Sequence, residues 1–455
     1  MTRHVPALVV GGGISGLVCA YALRKAGIDA QLVEAAPRPG GVIQSITRDG
    51  FRLELGPQSF SSTPALRELC AELGISNELL QAPLRAPRYV LIDDRLRPVP
   101  LSPPAFFMSS LIGGSTKWAL VHDILGNTTP PDSDESVADF VRRKFSSQLL
   151  DRLVGPFVSG IYAGDPERLS VRSAFPQLYE AEKPAGSIVR GMLRLAKSKQ
   201  SPRERPALQT FRDGNETLMR ALSSKLGSAL LAETNVTGIS RDSDSSFEVR
   251  LKGHNGEESV LAKSLIMATP TDVTGRLLSS LDSSFESLLT SIEYAAVAVV
   301  SLGYHKSDIG HSLNGFGFLV PRSAGLRILG TVWNSSLFPG RAPEGHALLT
   351  SFVGGTTDPA AAKLKSEELA SLVHREISTI LSVKSAPVFS NVTIWPRALP
   401  QYNLGHAERI AAVAKLYSRF PGLSLIGNFL RGPAIGACVE QSLSVAEEVR
   451  KKLAS

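Results

Sequence analysis

The chain has 455 residues, 43% of them hydrophobic and 20% charged, with a formal net charge of +7. That length exceeds one simple core, so two or three domains are expected, and the composition excludes a disordered chain. The modest basic excess carries no dense Lys/Arg run with interleaved aromatics, which speaks against a nucleic-acid partner and suits an acidic small molecule or an anionic membrane surface.

Residues 5 to 10 form an apolar run short enough for a buried strand, and Gly11, Gly13 and Gly16 then supply G-x-G-x-x-G. Leu17, Tyr21 and Ala22 continue at helical spacing, Gly27 stops the helix, and a second strand ends at Glu34. The glycines tighten the turn, admit a pyrophosphate to the backbone and let helix and strand pack closely. The helix start offers free N–H groups to phosphate, and Glu34 falls at roughly the 20-residue spacing that meets a ribose hydroxyl. A dinucleotide is expected here. The N-terminus runs almost directly into the first strand, so no signal or transit peptide is expected and cytoplasmic residence is favoured.

Pro39, Gly40 and Gly41 mark a tight turn, and two strand-like runs follow before Gly56 and Pro57. The spacing predicts a helix over 64–81, opened by Thr63 and Pro64, and strands over 88–101. The longest uncharged stretch, 99–116, is broken by prolines and glycines and is not expected to span a membrane. Its Phe106, Phe107, Met108, Leu111 and Ile112 either dip into a membrane surface or line a core; the two readings stand level. From 104 to 200 the pattern is mainly helical, clearest over 136–154. Strands are expected at 247–251, 264–267 and 295–302, then a strand at 423–426 and a helix over 437–453. Cys19, Cys70 and Cys438 are too scattered for a disulfide framework or a zinc site, and each is expected to pack as a small hydrophobe. The eight histidines are scattered and read as ordinary residues; no metal site is expected.

GGGISGL, Glu34, Arg38-Pro-Gly-Gly41 and LGPQSF at 55–60 together resemble the flavin-dependent amine oxidase superfamily. Further stretches resemble its porphyrinogen-oxidising, O2-dependent branch, the protoporphyrinogen oxidases: GPFVSGIYAGDPERLSVRSAFPQL at 155–178, FRDGNETL at 211–218 and NGFGFLVP at 314–321. LGTVWNSSLFPGRAPEG at 329–345, SFVGG at 351–355, WPRALPQYNLGH at 395–406 and GNFLRGPAIGACVEQ at 427–441 complete the series. The resemblance implies an α/β fold, α+β overall. A discontinuous Rossmann-like FAD domain (1–85, 201–275, 393–455) would carry a substrate domain on a mixed or antiparallel sheet (86–95, 276–392). A helical, membrane-associated domain would occupy 96–200.

The resemblance also implies a six-electron oxidation of protoporphyrinogen IX to protoporphyrin IX in haem biosynthesis, with O2 as acceptor and hydrogen peroxide released. Coproporphyrinogen III oxidation is the alternative; an amine oxidase and a non-catalytic flavoprotein scaffold are further rivals. No catalytic side chain is assigned, because the flavin carries the chemistry. Arg88 matches the arginine that pairs with a substrate propionate, and Phe316, Leu319, Val332 and Phe352 match the apolar pocket wall. Non-covalent FAD is expected on Gly11, Gly12, Gly13, Ile14, Ser15, Gly16, Glu34, Arg38, Gly41, Gly56, Pro57, Gln58 and Ser59. Val236 is expected at the adenine, and Trp395, Gly427, Asn428, Ala434 and Ile435 around the flavin. A peripheral place on the cytoplasmic membrane and a homodimer are carried as open alternatives.

Overall fold

The computed structural model describes residues 2–100, 103–109, 111–126, 131, 133–198, 207–242, 244, 246–254 and 256–454. Its first sheet begins with Thr2–Val10, whose alternating neighbours Ala7, Leu8 and Val9 are buried on both faces, as in a strand covered on two sides. Thr2–Val10 lies parallel to Ala30–Val33 on one side and to Gly256–Met267 on the other; Leu230–Leu231 and Leu423–Leu425 extend the parallel set. Phe247–Gly253 and Asn235–Arg241 complete the seven strands as an antiparallel meander. The register aligns Val33, Val10, Met267 and Leu425 in one row. Glu34, Gly11, Ala268 and Ile426 therefore leave the sheet side by side, at the carboxyl edge where open α/β sheets bind ligands.

The helix Ile14–Lys25 buries Leu17, Val18, Ala20 and Leu23 in the core that also takes the helix Ile435–Ala454. Chain segments far apart in sequence thus complete one α/β unit.

The second sheet runs Phe389–Pro400, Tyr294–His305, His346–Gly354, Ile328–Val332, Gly317–Leu319, Arg88–Ile92, Arg95–Pro98. All neighbours are antiparallel except Gly317–Leu319 with Arg88–Ile92. Helix Ser366–Leu381 covers one face through Leu369, Val373, Ile377 and Leu381. The opposite face looks toward the first unit and the helical segment. The hairpin continues to Pro98 and the last strand begins at Phe389, so the sheet runs past the expected boundaries at 95 and 392.

Two expected helices are shorter than their periodicity suggested. The helix over 64–81 is Pro64–Glu72, followed by a 3-10 turn at Ser76–Glu78 and a strand at Leu79–Gln81. Gly74, at φ +74, turns the chain out of the helix, and the leucines beyond it face a strand partner instead. The helix over 136–154 is Val137–Lys144, interrupted at Phe145 with φ −136 and ψ −94. Ser146 then caps a new start by accepting from Leu149 N–H, and Leu150–Val154 widens into a π turn ahead of Gly155–Tyr162. The final helix starts earlier than 437, at Ile435.

Within the helical segment Leu111 and Ile112 are buried against Val90 and Ile92, and Phe106 packs on the same cluster. These three line a core, so the surface-dipping reading fails for them. Met108 is 86% exposed, and the Phe107 side chain lies outside the described residues. Lys144 pairs with Asp123 at 2.8 Å and Glu182 at 3.1 Å inside the helices, and Asp123 accepts from the N–H groups of Ile188 and Val189. All three cysteines are buried, which pushes Cys19 up to about 12 and Cys70 and Cys438 up to about 11. They are packing thiols rather than nucleophiles.

Candidate cofactor and substrate site

The glycine turn is built for close approach. A Cβ on Gly16 would stand 1.9 Å from the Gly11 carbonyl oxygen, and one on Gly11 would meet the Ala268 carbonyl oxygen at 2.9 Å. Gly13 faces open space. Ile14 and Ser15 begin the helix, whose first N–H groups have no partner within it. Glu34 accepts from Gly12 N–H at 2.6 Å and from Ala36 N–H at 2.8 Å, so the acid is fixed beside the turn. The Gly12 N–H holds one oxygen in place without saturating its lone pairs. Glu34 also lines a cleft of about 450 Å³ shared with Arg38, Gly41, Val42, Trp395 and Arg397. These features fit a dinucleotide: an open cradle over Gly13, a helix start and an oriented ribose acceptor. Replacing Glu34 by Ala is expected to weaken FAD binding by about 1.5–3 kcal/mol, read by flavin titration of the apoprotein.

Arg38 lines the same cleft and also braces the backbone around it. Its guanidinium donates to the carbonyls of Pro39, Gly41 and Ile43 and pairs with Glu216 at 3.3 Å, holding the turn that lays Gly41 against Gly13. Val236 sits in the edge strand beside Thr234, whose N–H donates to the Glu34 carbonyl.

Residues 54–59 form a junction between both sheets. The Glu54 carboxylate accepts from Arg341 at 2.9 Å, the Ser45 hydroxyl at 2.6 Å and Asn215 N–H at 3.1 Å. Trp395 donates to the Leu55 carbonyl at 2.6 Å and Asn215 to that of Pro57 at 2.8 Å. Gly56 lies so close to Val42 that a Cβ would stand 2.1 Å from its carbonyl oxygen. Gln58 is buried against Asn334, and Ser59 leads into the strand Phe60–Ser61.

At the other end, Gly427 adopts φ +153 and donates to Gln441. Tyr402 donates to the Asn428 carbonyl at 2.5 Å, and His406 Nε2 meets that of Phe429 at 2.9 Å. The two rings are stacked at 4.3 Å. Burial pushes the His406 imidazole down to about 4, so the ring is neutral and Nε2 carries the proton donated to Phe429. Ala434 and Ile435 open the final helix, with the Ala434 carbonyl accepting from Cys438.

Four of the five expected substrate residues lie in strands of the second sheet. Its register pairs Arg88 with Gly317, Gly317 with Val332, Leu319 with Gly330, and Gly330 with Phe352. Arg88, Leu319, Val332 and Phe352 therefore project from one face, the one turned away from the Ser366–Leu381 helix. Phe316, just before its strand, carries the Arg88 guanidinium 5.4 Å from its ring centroid and shares a cluster with Val332. Leu319 and Phe352 pack in separate neighbouring clusters: Leu319 against Leu111 and Ile112, Phe352 against Ala163 and Val297. One expected wall is thus three patches on one face.

Sequence reasoning missed Glu54, Asn215, Glu216, Asn334, Arg341 and Arg397. Arg397 lines the cleft, pairs with Asp272 at 2.6 Å and stands 4.7 Å from the Tyr294 ring. Its neighbour Trp395 was the available signal; nothing local marks Arg341.

The model of flavin containing amine oxidoreductases matches residues 14–450. The chain is 36% identical to the chloroplastic protoporphyrinogen oxidase of Oryza sativa subsp. japonica, over 97% of this chain and 87% of that one. It is 29% identical to the coproporphyrinogen III oxidase of Bacillus subtilis (strain 168), over 98% and 97%. A solved structure of a provisionally assigned protoporphyrinogen oxidase from Exiguobacterium sp. 255-15 matches with a TM-score of 0.82 at 25% identity, covering 99% of each chain. With the glycine turn, the oriented Glu34 and this match along almost the whole length, the chain is an FAD-dependent oxidoreductase and belongs to the flavin containing amine oxidoreductase family.

Proposed function

We propose that the chain oxidises protoporphyrinogen IX to protoporphyrin IX in haem biosynthesis, with O2 as final acceptor and hydrogen peroxide as co-product. The observation that carries this reading is the single sheet face bearing Arg88, Val332, Leu319 and Phe352, in a chain 36% identical to a plant protein of that name. Bound FAD supplies the two-electron acceptor, used three times for the six electrons. Arg88 is exposed, has no ion pair among the described residues and offers its planar fork to a propionate. Phe316, Leu319, Val332 and Phe352 supply apolar surface against the macrocycle and keep water from it. Gly11, Gly12, Gly13, Ile14, Ser15, Gly16, Glu34, Arg38 and Gly41 hold the dinucleotide, with Val236 at the adenine. Gly56, Pro57, Gln58, Ser59, Trp395, Gly427, Asn428, Ala434 and Ile435 border the flavin.

Coproporphyrinogen III is the second reading, and one observation favours it. Arg97 pairs with Val90 and Arg95 with Ile92, which places both on the same sheet face as Arg88. Neither has an ion pair among the described residues, so two further cations are available for the extra carboxylates of that substrate. Parallel assays of both porphyrinogens in air decide between them. Protoporphyrinogen is expected to turn fluorescent faster, and Arg88→Ala to raise its KM about tenfold while leaving the flavin spectrum unchanged. A faster rate on coproporphyrinogen overturns the first reading in favour of the second.

The helical segment is the surface for peripheral contact with the cytoplasmic membrane. Met108, Trp118, Leu125, Phe157, Ile161 and Leu193 expose large apolar side chains there. Among the described residues no helix is long and apolar enough to cross a membrane.

A further inference from the structure

Asn334 is 4% exposed and stands at the junction of the two sheets, two residues beyond Val332. Its amide orientation follows from counting donors. Gln58 uses both hydrogens of its own amide, donating to the carbonyls of Glu54 and Gly56 at 2.9 Å each. Only Gln58 Oε1 remains to face Asn334, and it accepts from Asn334 Nδ2 at 2.7 Å. Flipping Asn334 would set two carbonyl oxygens against each other. Asn334 Oδ1 is therefore an acceptor, and it is buried with no partner among the described residues.

Buried acceptors are normally satisfied, and exceptions call for a role. On one side of Asn334 stands Gln58, expected at the flavin; on the other, the strand that carries Val332. Both groups of molecules that meet here carry ring N–H donors: the flavin ring and the pyrroles of a porphyrinogen. An apolar slot gives those donors nothing to bond, so a fixed amide oxygen would both bind and orient the ring.

We propose that Asn334 Oδ1 accepts a hydrogen bond from a ring N–H of the bound ligand, with Gln58 acting as the positioning residue that fixes the amide. The porphyrinogen arm of the inference rests on the function proposed above; the flavin arm does not.

The test compares wild type with Asn334→Leu and Asn334→Ala, the second serving also if the first fails to fold. Each is read by FAD titration of the apoprotein, by KM for protoporphyrinogen and by apoprotein melting temperature. Weakening of FAD binding by roughly tenfold in both variants identifies the flavin as donor, and a roughly tenfold rise in KM with unchanged FAD binding identifies the pyrrole. The apoprotein of Asn334→Leu loses the unpartnered Oδ1 but leaves Gln58 Oε1 without its donor, so its melting temperature should stay close to that of wild type. Unchanged affinities in both variants overturn the proposal, as does a defect confined to Asn334→Leu, which is steric. A wild type that binds FAD and leaves both porphyrinogens untouched refutes the proposed function, while the FAD titration still decides the flavin arm.

Discussion

A Glu54→Leu variant is expected to lose about 3–5 kcal/mol of stability in apoprotein unfolding, because it leaves a buried guanidinium without its counter-charge. Arg341 and Glu54 have side chains each 2% exposed and sit 2.9 Å apart. Burial pushes the carboxyl up and the guanidinium down, and in each case the partner's charge opposes that shift. The Ser45 hydroxyl and Asn215 N–H also converge on the carboxylate and, like the Arg341 charge, work against that upward shift. Arg341 reaches onward to Thr210 at 2.5 Å and to the Phe211 carbonyl at 3.2 Å. Removing Glu54 therefore strands three donors at once, directly beneath Gly56 and Gln58. The Glu54→Leu/Arg341→Met double variant is expected to recover the part of the loss due to the uncompensated charge, while the Ser45 hydroxyl and Asn215 N–H stay without their acceptor. Equal destabilisation in single and double variants would show that the charge pair is not the cause.

The second large effect is a pH dependence at His406. Burial holds its imidazole at about 4, against roughly 6.5 in an unfolded chain. Its surroundings include Tyr402 stacked on the ring, with Arg409, Asp134 and Glu408 as the nearest charges. A histidine with a lowered folded value binds its proton in the unfolded state first. Its contribution is fully present above about pH 6.5, falls as acid is added, and levels off below about pH 4, for a total near 3 kcal/mol. His406→Gln retains a side-chain N–H for the Phe429 carbonyl and does not titrate. Between pH 7 and pH 5 the wild type should therefore lose about 2 kcal/mol more than the variant in denaturant midpoints. Parallel pH profiles would refute the assignment. Taking the difference between the two proteins removes the carboxylates common to both.

The sequence revealed features whose physics is local. The turn at Gly11–Gly16, the strand before it and the acid at Glu34 depend on neighbours within a few dozen residues, and each stands where its pattern suggested. The 64–81 and 136–154 helices were overextended because apolar spacing persists through Gly74 and Phe145, while the backbone turns there. Glu54 and Arg341 are separated by 287 positions, and Gln58 and Asn334 by 276; no periodicity links such pairs. Their burial depends on how the two sheets meet, which only the assembled fold determines. The same holds for Leu111 and Ile112, whose apolar character allowed either a membrane or a core until Val90 and Ile92 were seen against them.

The most direct test of the account is anaerobic mixing of the FAD-loaded protein with protoporphyrinogen, followed through the flavin's visible absorption. Bleaching of the bound flavin as it takes up one pair of electrons, then return of the yellow colour and formation of porphyrin over repeated cycles once O2 is admitted, is the predicted result. A flavin that stays oxidised with porphyrinogens yet bleaches with an amine would contradict the account.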